Sequence, residues 1–133
     1  MENLEQPYKK INIDSLNLET IFKFCPDGIV CKDSDLRYVV ANESYAKTFS
    51  SNDFDSIIGR KYNPYISSSI MKLIHDADKE VMQSGSSINY VLTLENSTML
   101  NVTTFPVVYK NIFSGLISII KDITQEEAIK ENF

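Results

Sequence analysis

The sequence is short of the residues that most catalytic and metal sites need. Its 133 residues include one histidine, two cysteines and four glycines. A single histidine provides neither a histidine cluster for a metal ion nor a histidine pair for acid–base chemistry. The glycines form no phosphate-cradling G-x-G-x-x-G or P-loop pattern, and there is no G-x-S-x-G nucleophile elbow. We therefore expect a chain that is not an enzyme.

An excess of positive charge and a long apolar run are also missing. The net charge of −5 argues against nucleic acid or an anionic membrane as the main partner. No apolar stretch approaches the roughly 20 residues that span a bilayer, and the start MENLEQPYKK has no signal-peptide core. Cys25 and Cys31 have neither redox-motif nor zinc-site spacing, so we expect free thiols in a cytoplasmic protein.

What remains has the composition of one globular domain, with 43% apolar and 23% charged residues. Residues 1–13 are polar and without period, and we interpret them as a flexible leader. Apolar spacing and turn residues then predict a series of helices and strands. In chain order these are a helix from Asp14, strands Ile29–Lys32 and Leu36–Ala41, short helices Glu43–Phe49 and Asp53–Ile58, a long helix Ser68–Ser84, strands Ile88–Leu94, Thr98–Tyr109 and Phe113–Asp122, and a last helix from Thr124.

The connections between these elements define the fold class. Hairpin-length turns between strands imply antiparallel pairing, hence an α+β domain with helices over one face of a sheet. Asn42 and Asn52 are predicted to cap the starts of the two short helices, and Gly85 to end the long one. Thr124 and Glu127 fit a T-x-x-E capping box at the last helix.

Six short elements between Leu16 and Thr124 resemble, in order, motifs of the PAS domain family. Any one of them is weak, but six in order at plausible spacing are specific. They are Pro26-Asp27-Gly28-Ile29; the KD-x4-Y-x3-N spacing of Lys32-Asp33, Tyr38 and Asn42, found in one PAS subgroup; Ile57-Ile58-Gly59-Arg60; Asp78-x-x-Val81-x-x-x-Gly85; Pro106; and Asp122-Ile123-Thr124.

The resemblance implies a PAS fold over residues 14–124, with a five-stranded antiparallel sheet and a sensing pocket between sheet and helices. It also implies a homodimer and an attached output module, such as a kinase, a cyclic-dinucleotide enzyme or a transcription factor. Residues 125–133 are then the start of a linker helix into that module. Because the chain starts at Met1, we expect it to be the amino-terminal part of a larger protein.

Two PAS cofactor classes can be compared with the residues. The family's flavin-binding light sensors carry a reactive cysteine after the Gly-Arg turn, but here Gly59-Arg60 is followed by Lys61-Tyr62-Asn63-Pro64. Haem-binding members use a histidine on the long helix, where His75 stands. On a helical wheel His75 falls at the edge of the apolar stripe, so we expect no cofactor and keep haem at His75 as an alternative.

Asp78 is the unusual residue of the long helix. Its wheel position lies inside the apolar stripe, where an unpaired carboxylate would be costly. A structural hydrogen bond is the simpler interpretation. The sharper one is that Asp78 pairs with Lys32 or with a cationic group of a ligand.

Strand parity, transferred from the resemblance, gives the candidate pocket. Counting back from Asp122 and Pro106 places Leu116, Ser118, Ile120, Leu100, Val102 and Thr104 on the inner face. Tyr90 and Leu92 share that face, and Tyr62 and Tyr65 are expected to wall the pocket mouth. The candidate ligand residues are therefore Lys32, Tyr62, Tyr65, Met71, Ile74, Asp78, Tyr90, Leu92, Val102, Thr104, Ser118 and Ile120.

Two functions share this fold. The first is a small-molecule sensor that regulates its output, with Asp122 and Thr124 as the signal junction at the exit helix. The second is a dimerisation and signal-relay module whose interior is packed solid. A haem sensor through His75 is the third alternative.

Overall fold

The computed structural model describes residues 18–49 and 54–131. The predicted leader, the helix start at Asp14 and the cap Asn52 lie outside these residues. The elements are α1 (Leu18–Phe24), β1 (Gly28–Asp33), β2 (Tyr38–Ala41), α2 (Glu43–Thr48), a 3₁₀ helix (Phe54–Ile57), α3 (Ser68–Ser84), β3 (Ile88–Thr93), β4 (Met99–Tyr109), β5 (Ile112–Asp122) and α4 (Thr124–Glu131).

The five strands form one antiparallel sheet in the order β2-β1-β5-β4-β3. Strands β3, β4 and β5 follow one another through short turns. Lys110 and Asn111 make the turn between β4 and β5 with φ angles of 52° and 65°, as a two-residue hairpin requires. Strand β1 lies beside β5, with Gly28 opposite Ile120. The predicted α+β fold and its five-stranded sheet are confirmed.

One face of the sheet packs against the helices. Side chains alternate along a strand, so every second residue points to this inner face. Thr104 lies opposite Ser118, and Ser118 lies opposite Val30. The predicted parity is confirmed, because the inner residues of β3, β4 and β5 are buried and Tyr90 is half-buried. They are Tyr90, Leu92, Leu100, Val102, Thr104, Leu116, Ser118 and Ile120.

Helix α3 covers the inner face and has the predicted bounds. The Ser67 side chain caps its start, and Gly85 ends it in the left-handed conformation with φ 70°. The helix contacts β3, β4 and β5 and buries Ile70, Met71, Asp78 and Val81. Asp78 therefore enters the core as part of an otherwise apolar stripe.

A single side chain, Asn42, joins the amino-terminal elements. Its Oδ1 atom accepts hydrogen bonds from Tyr45 N and Ile29 N, both at 2.9 Å. Its Nδ2 atom donates to Phe22 O at 3.0 Å and to Asp27 O at 2.9 Å. The predicted cap of α2 is confirmed, and the same amide also ties α1 and the start of β1 to that helix.

Candidate ligand cavity

A cavity lies between the inner face of the sheet and the helices. Its volume is about 10 Å³, which is at the lower limit for one water molecule. Residues of the five strands form one wall, and residues of α2, its C-cap Phe49 and α3 form the other. The lining residues are Val30, Lys32, Tyr38, Tyr45, Phe49, Ile74, Tyr90, Leu92, Val102, Ser118 and Ile120.

Lys32 and Asp78 form a buried ion pair at the cavity. Lys32 Nζ lies 2.6 Å from Asp78 Oδ2, and the two side chains are 3% and 0% exposed. Strand parity turns Lys32 inward from β1, and the buried face of α3 presents Asp78. The ammonium also lies 4.7 Å from the centroid of the Tyr38 ring, within cation–π range. The predicted pairing of Asp78 with Lys32 is confirmed.

The Asp78 carboxylate uses only part of its hydrogen-bonding capacity. Burial raises the pKa of Asp78 above its usual range, although the Lys32 charge opposes the rise. Within the described chain, Asp78 Oδ1 has no hydrogen-bond partner. A buried carboxylate oxygen is normally bonded, so this atom is an acceptor available to a further group.

The Tyr38, Tyr45 and Tyr90 side chains line the cavity together with Lys32. Burial raises the pKa of each, and the negative charge of Asp78 adds to the rise. The hydroxyls are therefore protonated at neutral pH. Tyr45 Oη accepts a hydrogen bond from Asn63 Nδ2 at 3.2 Å.

The Tyr90 hydroxyl is the second buried polar group without a partner among residues 18–49 and 54–131. The Thr104 hydroxyl lies near it and opposes the rise of its pKa, but the two do not meet the geometry of a hydrogen bond. Thr104 Oγ1 instead lies 2.6 Å from Ser118 Oγ. Those two hydroxyls satisfy each other across β4 and β5, which leaves Tyr90 Oη available.

The structure brings most of the predicted pocket residues together. Met71, Asp78 and Thr104 lie directly behind the wall, where each contacts a residue of it. Met71 Sδ, for example, lies 3.8 Å from Tyr38 Oη and accepts its hydrogen bond. The predicted residues that line the cavity itself are Lys32, Ile74, Tyr90, Leu92, Val102, Ser118 and Ile120.

The structure corrects the placement of Tyr62 and Tyr65. Their side chains are 56% and 46% exposed, and neither lines the cavity. Tyr65 borders a separate surface depression beside the start of α3. The irregular segment around Pro64 has no period from which a facing direction could be read.

Four lining residues were not predicted: Val30, Tyr38, Tyr45 and Phe49. Val30 shares the parity of Lys32, so strand alternation alone would have found it. Tyr38 follows a register shift between Cys31 and Lys32 in the β1–β2 pairing, which breaks simple alternation. Tyr45 and Phe49 come from the short helix α2 and its end, where few residues define a face.

His75 does not fit a haem ligand of this cavity. Its side chain is half-buried and is not part of the cavity wall. The cavity, whose wall includes Lys32 and three tyrosines, has a volume of about 10 Å³, which is far less than a porphyrin occupies. The residues therefore do not fit haem bound through His75.

Metal binding and thiol reactions depend on clustered His, Cys, Asp and Glu side chains and on exposed thiolates. Over the described ranges, no three His, Cys, Asp or Glu side chains are grouped to hold a metal ion. Cys25 and Cys31 are free thiols, and burial, with a smaller effect of Asp33, raises the pKa of Cys31. None of the helices in the described part is long and apolar enough to cross a membrane.

The predicted junction residues Asp122 and Thr124 are joined to the sheet. Asp122 Oδ1 accepts from Thr124 N at 2.9 Å and from Thr124 Oγ1 at 2.6 Å. Thr124 Oγ1 in turn accepts from Met99 N at 2.9 Å, at the start of β4. Thr124 therefore links the first turn of α4 to the strand that carries Val102 and Thr104.

The predicted capping box at Thr124 is wrong. The Thr124 hydroxyl is committed to Asp122 and Met99, so it does not accept from the Glu127 amide, which donates to Ile123 O instead. A bond from Met99, which is distant in sequence, and a local bond to Asp122 are made in place of the predicted cap.

A five-stranded antiparallel sheet, helices over one face and a small, largely apolar cavity between them match the architecture that the sequence motifs predict. A family model of the PAS fold matches residues 22–128. The chain belongs to the PAS-fold family and is a PAS sensory domain. No curated protein sequence matches this chain at a significant level.

Solved structures show the same fold. VqmA of Vibrio cholerae, solved as a complex with ligand and DNA, matches with TM-score 0.69 and 23% identity over 84% of this chain and 53% of that chain. The PAS domain of Bordetella pertussis BvgS matches with TM-score 0.66 and 16% identity over 86% and 90% of the two chains. A PAS domain from Colwellia psychrerythraea matches with TM-score 0.64 and 15% identity over 81% and 95%. This chain thus spans about half the length of VqmA.

Proposed function

We propose that this PAS domain binds a small molecule in the cavity and regulates an attached output module. The observation that carries the proposal is the pair of unpartnered buried atoms, Asp78 Oδ1 and Tyr90 Oη. Such atoms are rare in a native core, and a small molecule that enters the cavity could supply the missing partners. Both belong to residues that line the cavity or contact its wall.

The small size of the cavity gives binding a structural consequence. At about 10 Å³ it does not hold a ligand larger than water in this conformation. A ligand must therefore displace a lining side chain, and Ile74 on α3 is a half-buried member of the wall. A ligand that favours a second conformation shifts the population toward it, which is the requirement for a sensor.

The sheet offers a route from the cavity to the exit helix. The cavity is lined by Val102 from β4 and by Ser118 and Ile120 from β5. Strand β4 begins at Met99 and strand β5 ends at Asp122, and Thr124 joins both residues to α4. A change in the twist of these strands would alter the direction of α4.

The comparison with VqmA supports a ligand-responsive output. VqmA was solved together with a ligand and DNA, and its dimer is described as changing conformation in the absence of DNA. For this chain we propose a homodimer whose output is a transcription factor, a kinase or a cyclic-dinucleotide enzyme located in the cytoplasm. In this proposal the PAS domain itself has no catalytic role and does not contact nucleic acid or membrane.

One observation favours the alternative of a relay module without a ligand. A cavity of about 10 Å³ is close to the packing of an ordinary core. In that case the domain would transmit signals between neighbouring domains and dimer partners. The alternative predicts that no small molecule stabilises the fold.

A thermal-shift screen of the full chain against small metabolites separates the two functions. A ligand at about 100 times its Kd should raise the Tm by roughly 8 °C, because it binds only the folded state. Val102→Leu fills the cavity and should abolish the shift. Val91→Leu adds the same methylene on the exposed side of β3 and should preserve it.

Native mass spectrometry of any hit gives the stoichiometry. A bound compound that Val102→Leu excludes supports the sensor. If no compound raises the Tm, or if Val102→Leu retains the shift, the proposed cavity function is wrong and the relay module is favoured.

A further inference from the structure

We propose, on the basis of the proposed function, that the ligand of this cavity is a small molecule without net charge that carries a hydrogen-bond donor for Asp78 Oδ1 and a polar group for Tyr90 Oη. This ligand class follows from the Lys32–Asp78 ion pair, in which the two charges balance, and from the two buried atoms that have no hydrogen-bond partner in the described part of the chain.

The charge balance of the site determines the charge of the ligand. Lys32 is the charged residue of the cavity wall, and Asp78 neutralises it at 2.6 Å. An anionic ligand would place a second negative charge beside Asp78, and a cationic ligand would place a second positive charge beside Lys32. Either would leave one uncompensated charge in the core. Since an uncompensated buried charge is strongly unfavourable, a neutral molecule is the class that preserves the charge balance.

The two free atoms determine the polar pattern of the ligand. Asp78 Oδ2 is occupied by Lys32, so Oδ1 is an acceptor that needs an N–H or O–H donor. Tyr90 is protonated, so its hydroxyl can donate to a carbonyl-like acceptor. Lys32 and Tyr90 line the same cavity, and Asp78 lies 2.6 Å from Lys32 Nζ, so both free atoms belong to the surroundings of one cavity. A group such as a primary amide presents a donor and an acceptor side by side.

The rest of the wall determines the body of the ligand. The Tyr38, Tyr45 and Phe49 rings and the Leu92, Val102 and Ile120 side chains surround the polar end. Flat apolar rings pack well against aromatic faces. The simplest molecule with these properties is an aromatic ring that bears one neutral donor–acceptor group.

Four compounds of nearly equal shape test this assignment: benzamide, benzoate, benzamidinium and acetophenone. Benzamide is neutral and has both donor and acceptor; benzoate and benzamidinium add a charge, and acetophenone removes the donor. Isothermal titration of the full chain at neutral pH should show benzamide binding at least about tenfold more tightly than the other three, because a buried polar group left unpaired disfavours the wrong analogue.

Two tyrosine variants test whether benzamide binds in the cavity. Tyr90→Phe should weaken benzamide binding at least about tenfold, because it removes the hydroxyl that donates to the benzamide carbonyl. Tyr62→Phe makes the same change at an exposed tyrosine and should leave benzamide binding unaltered. These variants remain informative even if substitution of Asp78 prevents folding.

The outcomes separate this inference from the proposed function. Tighter binding of benzoate or benzamidinium, blocked by Val102→Leu, overturns the neutral class but leaves a ligand-binding cavity. Equal binding of benzamide and acetophenone overturns the donor requirement. If none of the four binds, the inferred class is wrong, a buried water becomes the simplest partner of the two atoms, and the metabolite screen alone decides the proposed function.

Discussion

Helix α3 contributes to two Lys–Asp ion pairs with similar N–O distances, one of them buried and the other exposed to solvent. Lys32 Nζ and Asp78 Oδ2 are 2.6 Å apart, and both side chains are buried. Lys72 Nζ and Asp76 Oδ2 are 2.8 Å apart, with side chains 76% and 51% exposed. Burial raises the pKa of Asp78, whereas the hydrogen bond from Lys72 lowers the pKa of Asp76. The pKa shifts of the two aspartates differ in direction because of their exposure to solvent, since the N–O distances of the two pairs are similar.

The difference shows what each pair contributes. The exposed pair joins residues four apart on one helix and supports that helix weakly. The buried pair joins β1 to α3 across the core, and either charge alone would be unfavourable there. Only the buried pair can specify how the sheet and the helix fit together around the cavity.

Removing one buried charge should have the largest effect. Asp78→Ala leaves the Lys32 ammonium unpaired, and we expect the free energy of unfolding to fall by about 3–5 kcal/mol. Urea unfolding followed by circular dichroism measures this change. Asp76→Ala is the matched control and should leave the urea midpoint almost unchanged. Equal losses for the two variants would remove the distinction between the pairs.

A neutral buried pair should have an intermediate effect. Ser118→Ala leaves the Thr104 hydroxyl without its 2.6 Å partner, and we expect a loss of about 1–3 kcal/mol. Ser114→Ala, at an exposed serine of the same strand, is the control. A loss as large as that of Asp78→Ala would mean that burial of a polar group, rather than of a charge, dominates.

Replacing both buried charges should have a small effect. The double variant Lys32→Met with Asp78→Leu leaves no unpaired charge, and its free energy of unfolding should lie within about 1 kcal/mol of the original protein. The four members of the cycle, compared by urea unfolding, give the coupling between the residues. A double variant as unstable as Asp78→Ala would indicate that the pair itself supplies stability.

The titration of the two carboxyl groups gives the finest test. Carbon-detected NMR should show the pKa of Asp78 above the usual aspartate value of about 3.9 and that of Asp76 below it. For Asp78, whose pKa is raised in the folded state, the contribution to stability is fully present below the unfolded pKa and is lost as pH rises through the folded pKa. For Asp76, with its lowered pKa, stability is present above the unfolded pKa and lost as pH falls through the folded one. Shifts in the same direction would contradict the comparison.

The parts of this arrangement that follow a repeating period could be predicted from the sequence. Alternation along β4 and β5, with the inner face assigned from the PAS resemblance, predicted their inner residues, and the wheel of α3 predicted Asp78 as a buried carboxylate. Its pairing with Lys32 was one of two interpretations, because a period gives the direction of a side chain and not its partner.

The remaining features depend on contacts between distant parts of the chain. The amide of Met99 lies 25 residues from Thr124, and its bond to the Thr124 hydroxyl replaces the predicted capping box. The register shift before Lys32 decides where Tyr38 points, and no local pattern encodes that shift. Tyr62 and Tyr65 were misplaced for the opposite reason, since their segment has no period at all.

The pairing of β1 with β5 has a consequence for synthesis on the ribosome. Gly28 pairs with Ile120, roughly 90 residues later in the chain. At about 5–20 residues per second, β1 waits on the order of ten seconds for its central neighbour. During that interval Lys32 and Ser118 cannot share a cavity wall, because the strand that carries Ser118 has not been made. The cavity is therefore completed only with β5, the last strand to be made and the one that leads into the exit helix.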